Sequence, residues 1–265
     1  MAESPHLLFE REGAVVTVIM NRPASRNAMD LQMLARMADA WDAIDGDPSV
    51  RVAILAGAGG HFSSGSDLKV MAGAANDPVW AARFEQDRDL HWKALLRHYR
   101  LKKPLLAAVE GTCVAGGTEI LQATDIRIAG ESAKFGVSEA RWGLFPLGGS
   151  TVRLRRQIPY CRAMDILLTG RHIPASEALE IGLIGRVVPD GQALLVAKQV
   201  ATQIAENGPL AVQAIKRSVL ATEGLSEADA LALELEIGQQ VFESQDAKEG
   251  PAAFVAKRKP DFKGS

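Results

Sequence analysis

The residues best suited to chemistry sit in one central stretch, from Lys103 to Pro146. It opens with an apolar run, Leu105 to Val109, bounded by Pro104 and Gly111, which reads as a buried strand. A small-residue turn follows, Ala115-Gly116-Gly117, and then a short helical pattern from Thr118 to Ala123. Glycines where a strand gives way to a helix let a ligand approach the backbone and leave N–H groups unpaired. Such groups stabilise negative charge developing on an oxygen. Glu119 falls one turn into that helix, and Glu139 follows twenty residues later, after a second strand, Asp125 to Ala129. Oxyanion donors with two carboxyls are the parts needed to stabilise an enolate and move protons around it.

The stretch resembles the crotonase (enoyl-CoA hydratase/isomerase) superfamily, which pairs a glycine-rich oxyanion turn with downstream acids. Gly116 stands at the family's oxyanion glycine, and Glu119 and Glu139 stand at the two glutamates its hydratases use. The segment Phe62 to Lys69 is similar to the family's other oxyanion motif, with Ser66 where alanine is usual. The donor there is a backbone N–H, which serine keeps. The resemblance further implies substrate or CoA contacts at Ser64, Asp67, Leu68 and Gly117, with Arg26 and Ala28 on the nucleotide side. It places Lys257, in a basic tail, near the CoA phosphates of a neighbouring subunit's site. The family's hydratases commonly carry glycine where Leu147 stands, so a bulky side chain is expected close to the reacting water.

Other chemistries lack their residues. A dinucleotide fingerprint after the strand Arg51 to Ala56 would need glycine at position 62, which is phenylalanine. No P-loop or G-x-S-x-G elbow occurs. His61 has no partner spacing and reads as a solvent-exposed loop histidine. His91 and His98 lie seven apart on a helical pattern, without the i, i+4 pairing of a zinc site, so no metal is expected. The two cysteines, Cys113 and Cys161, match no metal spacing and read as reduced thiols, Cys113 as a packed small residue.

The positioning elements are read from pattern. Ala14 to Met20 is a β-branched strand, Asp30 is placed to cap a helix carrying Leu31, Leu34, Ala38, Trp41 and Ile44, and Asp45-Gly46-Asp47-Pro48 stops it. Asp67 stands at the start of another short helix. The stretch Met71 to Tyr99, with Trp80, Phe84, Trp92 and Tyr99, is the part the family varies to shape its acyl pocket. A helix closes at Gly170. Beyond a short strand, Gly185 to Val188, the pattern is helical, with breaks at Asn207-Gly208-Pro209, Glu223-Gly224 and Gln245-Asp246. Strands alternating with helices, then helices alone, give an α/β fold with a C-terminal appendage; the resemblance implies the β-β-α spiral core of the crotonases over residues 1–204, with a C-terminal helical trimerisation region over 205–265.

Net charge of −2 gives no support for a nucleic-acid or anionic-membrane partner. No apolar run reaches the roughly 18 residues of a membrane span, and the N-terminus has acids where a signal peptide has lysines, so a cytoplasmic protein is expected. The resemblance implies an enoyl-CoA hydratase acting on an acyl-CoA thioester, with no cofactor beyond the CoA of its substrate, assembled as a homotrimer or dimer of trimers. A Δ3-Δ2 enoyl-CoA isomerase or other enolate-forming member is the alternative within the family, and a non-catalytic acyl-CoA-binding protein the alternative outside enzymes.

Overall fold

A computed structural model describes residues 5–73 and 77–265. The first four residues of the acid-bearing N-terminus, and residues 74–76 of the variable stretch, lie outside the described residues.

Among the described residues, nine strands fall into two sheets. β1 (Leu7–Glu12), which the sequence pattern left unassigned, forms an antiparallel hairpin with β2 (Val15–Met20). β3 (Val52–Gly57) and β4 (Leu105–Val109) are followed by the three-residue strand β5 (Thr112–Val114). β6 (Ile126–Gly130) is followed in the same way by β7 (Lys134–Gly136), and β8 (Ile173–Pro174) and β9 (Arg186–Val188) complete the set. The larger sheet has the order β1-β2-β3-β4-β6-β9 and is parallel from β2 onward. The smaller has the order β5-β7-β8.

The central strands are apolar on both faces, as a covered parallel sheet requires. Val52, Ile54 and Ala56 face the helix Ala193–Ala205, together with Leu106 and Ala108. Their neighbours Ala53, Leu55, Leu105 and Ala107 face the main core, which holds Trp41, Phe62 and Phe135. Asp30 caps the helix Leu31–Gly46 as expected, its carboxylate accepting the Met33 N–H at 2.9 Å. Trp41 is core, and its indole N–H donates to the Ala94 carbonyl at 3.0 Å. The pattern around His91 is shorter than a single helix through His98: the helix Leu90–Ala94 ends first, because Leu96 turns the chain through a positive φ of 53°. The two histidines therefore share no helix face.

Three further helices, Pro209–Ala221, Glu227–Phe242 and Gln245–Val255, follow the one that covers the sheet. The last begins at Gln245 because Ser244 caps it, accepting the Ala247 N–H at 3.1 Å. The chain end folds back on this helix, where the Asp246 carboxylate accepts the N–H groups of Lys263 (2.7 Å) and Gly264 (2.8 Å). Ile237 is buried, but Leu231 and Leu235 are exposed, as are Phe242, Phe254 and Val255. No helix among the described residues is long and apolar enough to cross a membrane.

Candidate active site

The smaller sheet decides what meets at the site. Cys113 pairs with Phe135 between β5 and β7, and an isolated parallel bridge sets Ser63 beside Cys113. Ser63, Cys113 and Phe135 thus form one row across three passes of the chain. Ser66 lies three residues beyond its row position, Gly116 three and Glu139 four, so all three emerge at the same edge. This stacking brings together segments far apart in sequence.

The two turns at that edge abut. Met29 lies along the first, its N–H bonded to the Gly65 carbonyl (2.8 Å) and its carbonyl to the Asp67 N–H (3.0 Å). That pattern skips Ser66. Among the described residues, neither the Ser66 N–H nor the Gly116 N–H finds a protein acceptor. A Cβ on Gly116 would stand 3.5 Å from the Ser66 nitrogen, which shows how near the two donors lie. Ala115 holds φ 50° and ψ −127°, a strained region for a residue with a Cβ, costing on the order of 1–3 kcal/mol. The conformation is held by the Ala115 N–H donating to the Gly136 carbonyl (2.8 Å) and the Ala115 carbonyl accepting from the Glu119 N–H (3.0 Å), which aims the Gly116 peptide.

Arg22 fastens the first turn. Its guanidinium donates to the Ala28 carbonyl (2.5 Å) and bonds Asp67 (2.9 Å) and Asp30 (3.3 Å). Burial alone would raise the Asp67 carboxyl, but Arg22 and the Lys69 N–H bring it below its ordinary value. Asp67 also caps the short helix Leu68–Met71.

Glu119 and Glu139 line one cavity of about 740 Å³ with Ser66 and Gly116. Glu119 is 5% exposed. Burial raises its pKa, opposed by the backbones of Ser150 and Gly148 and by the Arg153 charge. The Ser150 N–H donates to Oε1 at 3.3 Å. Glu139 opens a single 3₁₀ turn, Glu139–Trp142, and is half-buried. Burial pushes its pKa up to about 7, with the nearby Glu119 charge adding to the effect. Its buried Oε2 has no protein partner. Two carboxyls that cannot easily ionise together, beside two free N–H groups, can exchange protons with a substrate whose oxygen is held there.

The other expected positions divide. Ser64, Asp67 and Leu68 line the cavity, whereas Arg26, Ala28, Gly117 and Lys257 do not. Arg26 is exposed at the turn next to the site, its carbonyl accepting the Ser64 N–H at 2.9 Å. Gly117 turns away, packed so that a Cβ would lie 2.6 Å from the Ser63 carbonyl oxygen. Leu147 lines the cavity with 52% of its surface exposed, and the residue packed on Glu119 is Gly148. His61 is no free loop histidine. It is half-buried against Gly111, and its Nδ1 accepts the Thr112 N–H at 3.2 Å. Cys113 is fully buried, and desolvation pushes its thiol far up.

Sequence pattern missed His172, Trp142 and Arg141 as cavity residues, whereas His91 and Trp92 line the cavity from the stretch that the family resemblance gave to the acyl pocket. His91 and His172 are both held below the ordinary histidine range, chiefly by burial. A lone, exposed histidine on a loop, as His172 is, carries no periodic signal that could have found it.

Residues 10–265 match the family profile described as enoyl-CoA hydratase/isomerase. The chain is 56% identical to enoyl-CoA hydratase EchA19 of Mycobacterium tuberculosis over 97% of its own length and 96% of that protein's. It is 37% identical to carnitinyl-CoA dehydratase of Proteus mirabilis over the whole of both chains. Its structure superposes on the crystal structure of an enoyl-CoA hydratase from Mycobacterium tuberculosis with a TM-score of 0.90 at 38% identity, covering 99% of this chain and 100% of that one. The fold is thus that of the crotonases, and the chain belongs to the enoyl-CoA hydratase/isomerase family.

Proposed function

We propose that the protein is an enoyl-CoA hydratase. One observation carries the proposal: two unpaired backbone N–H groups and two carboxyls of different environment open into one cavity. The thioester oxygen accepts from the Ser66 and Gly116 N–H groups, which stabilise the enolate-like charge of the transition state. Glu119, whose ionised form Ser150, Gly148 and Arg153 favour against the effect of burial, orients a water and takes its proton as the oxygen bonds to C3. Glu139, protonated up to about neutral pH, gives a proton to C2. Water is added across the double bond, and proton count and charge balance without a metal or redox cofactor. An isomerase needs one group to shuttle a proton, and an acyl-CoA carrier needs none; the second carboxyl favours hydration.

CoA is the handle of the substrate. Ser64 and Leu68 lie at the cavity, and Arg26 stands exposed beside Ser64 for the nucleotide. The exposed apolar residues of the C-terminal helices support residues 205–265 as an assembly region, giving a trimer or dimer of trimers in which Lys257 reaches a neighbour's CoA phosphates.

The test is loss of enoyl absorbance with crotonyl-CoA. Glu119→Gln and Glu139→Gln should each lower turnover by at least about 10²-fold. Near-normal turnover in either variant sinks the two-glutamate mechanism.

A further inference from the structure

Two arginines join the opposite walls of the cavity. Arg153, on the helix Ser150–Gln157, is 7% exposed, so its charge must be met by the protein. Its Nη2 donates to the carbonyls of Leu96 (2.5 Å) and Arg97 (2.8 Å), and its Nη1 to that of Gly148 (3.4 Å). Arg97 returns the contact, its Nε donating to the Leu147 carbonyl at 2.7 Å. The Arg97 guanidinium also lies 5.2 Å over the ring of Trp92, a cavity residue. The bonds run both ways: from the helix back to 96–97, and from 97 forward to 147. The positive φ of Leu96, 53°, is the local conformation from which the Leu96 and Arg97 carbonyls meet Arg153.

What this clasp holds is the support of Glu119. Leu147 and Gly148 lie just before Ser150, whose N–H donates to Oε1, and Gly148 packs directly on the carboxyl. A planar guanidinium with several donors in a fixed fork can bridge three carbonyls, whereas an ammonium is a point charge on a flexible stem. We propose that Arg153 and Arg97 are positioning residues for Glu119, locking the Leu147–Ser150 turn against the acyl-pocket wall at Trp92. Neither touches the reacting atoms. The proposal rests on Glu119 as the base, and the experiment separates the two.

Several charges bear on the proton of Glu119. Arg153 favours its ionised form, while Glu139, across the cavity, is coupled to it with like charge. Arg97 from the loop, Arg100 beyond it and Arg127 from β6 act on Arg153. Loss of the Arg153 cation therefore disfavours ionised Glu119, and the acid limb of the kcat profile moves to higher pH.

The experiment compares Arg153→Gln, Arg153→Lys and Arg97→Gln with the parent enzyme by crotonyl-CoA kinetics across pH, with thermal melting as the check on folding. Arg153→Gln should lower kcat roughly ten- to hundredfold, with KM little changed, and shift the acid limb upward. Arg153→Lys should restore the limb but recover kcat only in part, because it returns the charge without the fork. Arg97→Gln, at an exposed position, should fold normally and lower kcat with a smaller shift. If Arg153→Gln does not fold, Arg97→Gln decides alone. Folded variants with parental kcat and an unmoved limb overturn the clasp while Glu119→Gln remains inactive. An active Glu119→Gln instead overturns the reading beneath it.

Discussion

Gly148 leaves no room beside Glu119: a Cβ at position 148 would stand 2.5 Å from Oε2 and 2.8 Å from the carboxyl carbon. The crowded atom is the end of a side chain rather than backbone, so the carboxyl would yield before the fold does. Gly148→Ala should therefore melt close to the parent protein yet lose at least about tenfold in kcat, since a displaced base is a poor base. Stopped-flow or steady-state hydration with a melting curve on the same sample checks this. Parental kcat would show that Glu119 can move without consequence.

The abutting turns make a second pair of expectations. A side chain at Gly116 would enter beside the Ser66 N–H and press on Met29, whose Cε would lie 2.9 Å from its Cβ. Gly116→Val should abolish turnover while leaving soluble protein. Ser66→Ala should be nearly silent, because the proposed donor is the backbone. Loss of activity in Ser66→Ala would assign the work to the hydroxyl.

Glu139 also leaves a mark on stability. Its pKa rises from 4.5 to about 7 on folding, so between those values the folded state holds a proton that the unfolded chain releases. Stability then falls as pH rises through that window, and is fully present below it. Glu139→Gln cannot ionise and is spared the fall. The melting temperature of the variant should gain on that of the parent protein from about pH 5 to about pH 8. A difference that stays constant with pH would remove the claim.

Assembly and CoA binding can be tested together. Phe254 and Val255, exposed by 86% and 81%, lie just before Lys257 at the end of the last helix. Light scattering should report a trimer or hexamer, and Phe254→Asp should shift the population toward monomer. Lys257→Ala should raise KM for CoA esters with little change in kcat, because it removes a remote handle. A short N-acetylcysteamine thioester, which lacks the phosphates, should be indifferent to the lysine. An active monomer, or an equal penalty on the short thioester, would count against these roles.

Much of this architecture was already written in local pattern. β4 spans Leu105–Val109, as its apolar run between Pro104 and Gly111 required, and Asp30 and Asp67 cap helices where their side chains face free N–H groups. The glycine turn and the spacing of Glu119 and Glu139 sufficed to point to enolate chemistry. Such features depend on residues near one another in the chain, so a linear reading reaches them. The second sheet does not, because its strands of two or three residues, β5, β7 and β8, are too short to show alternation. Yet the row Ser63, Cys113, Phe135 is what carries Ser66, Gly116 and Glu139 to one edge. His172 reaches the cavity, Gly117 leaves it, and Arg153 finds the Leu96 and Arg97 carbonyls on a distant segment, all through packing between parts of the chain that share no local signal. The sequence determined which groups were present; tertiary structure decided which of them meet, because a cavity wall is assembled from residues whose separation along the chain says nothing of their separation in space.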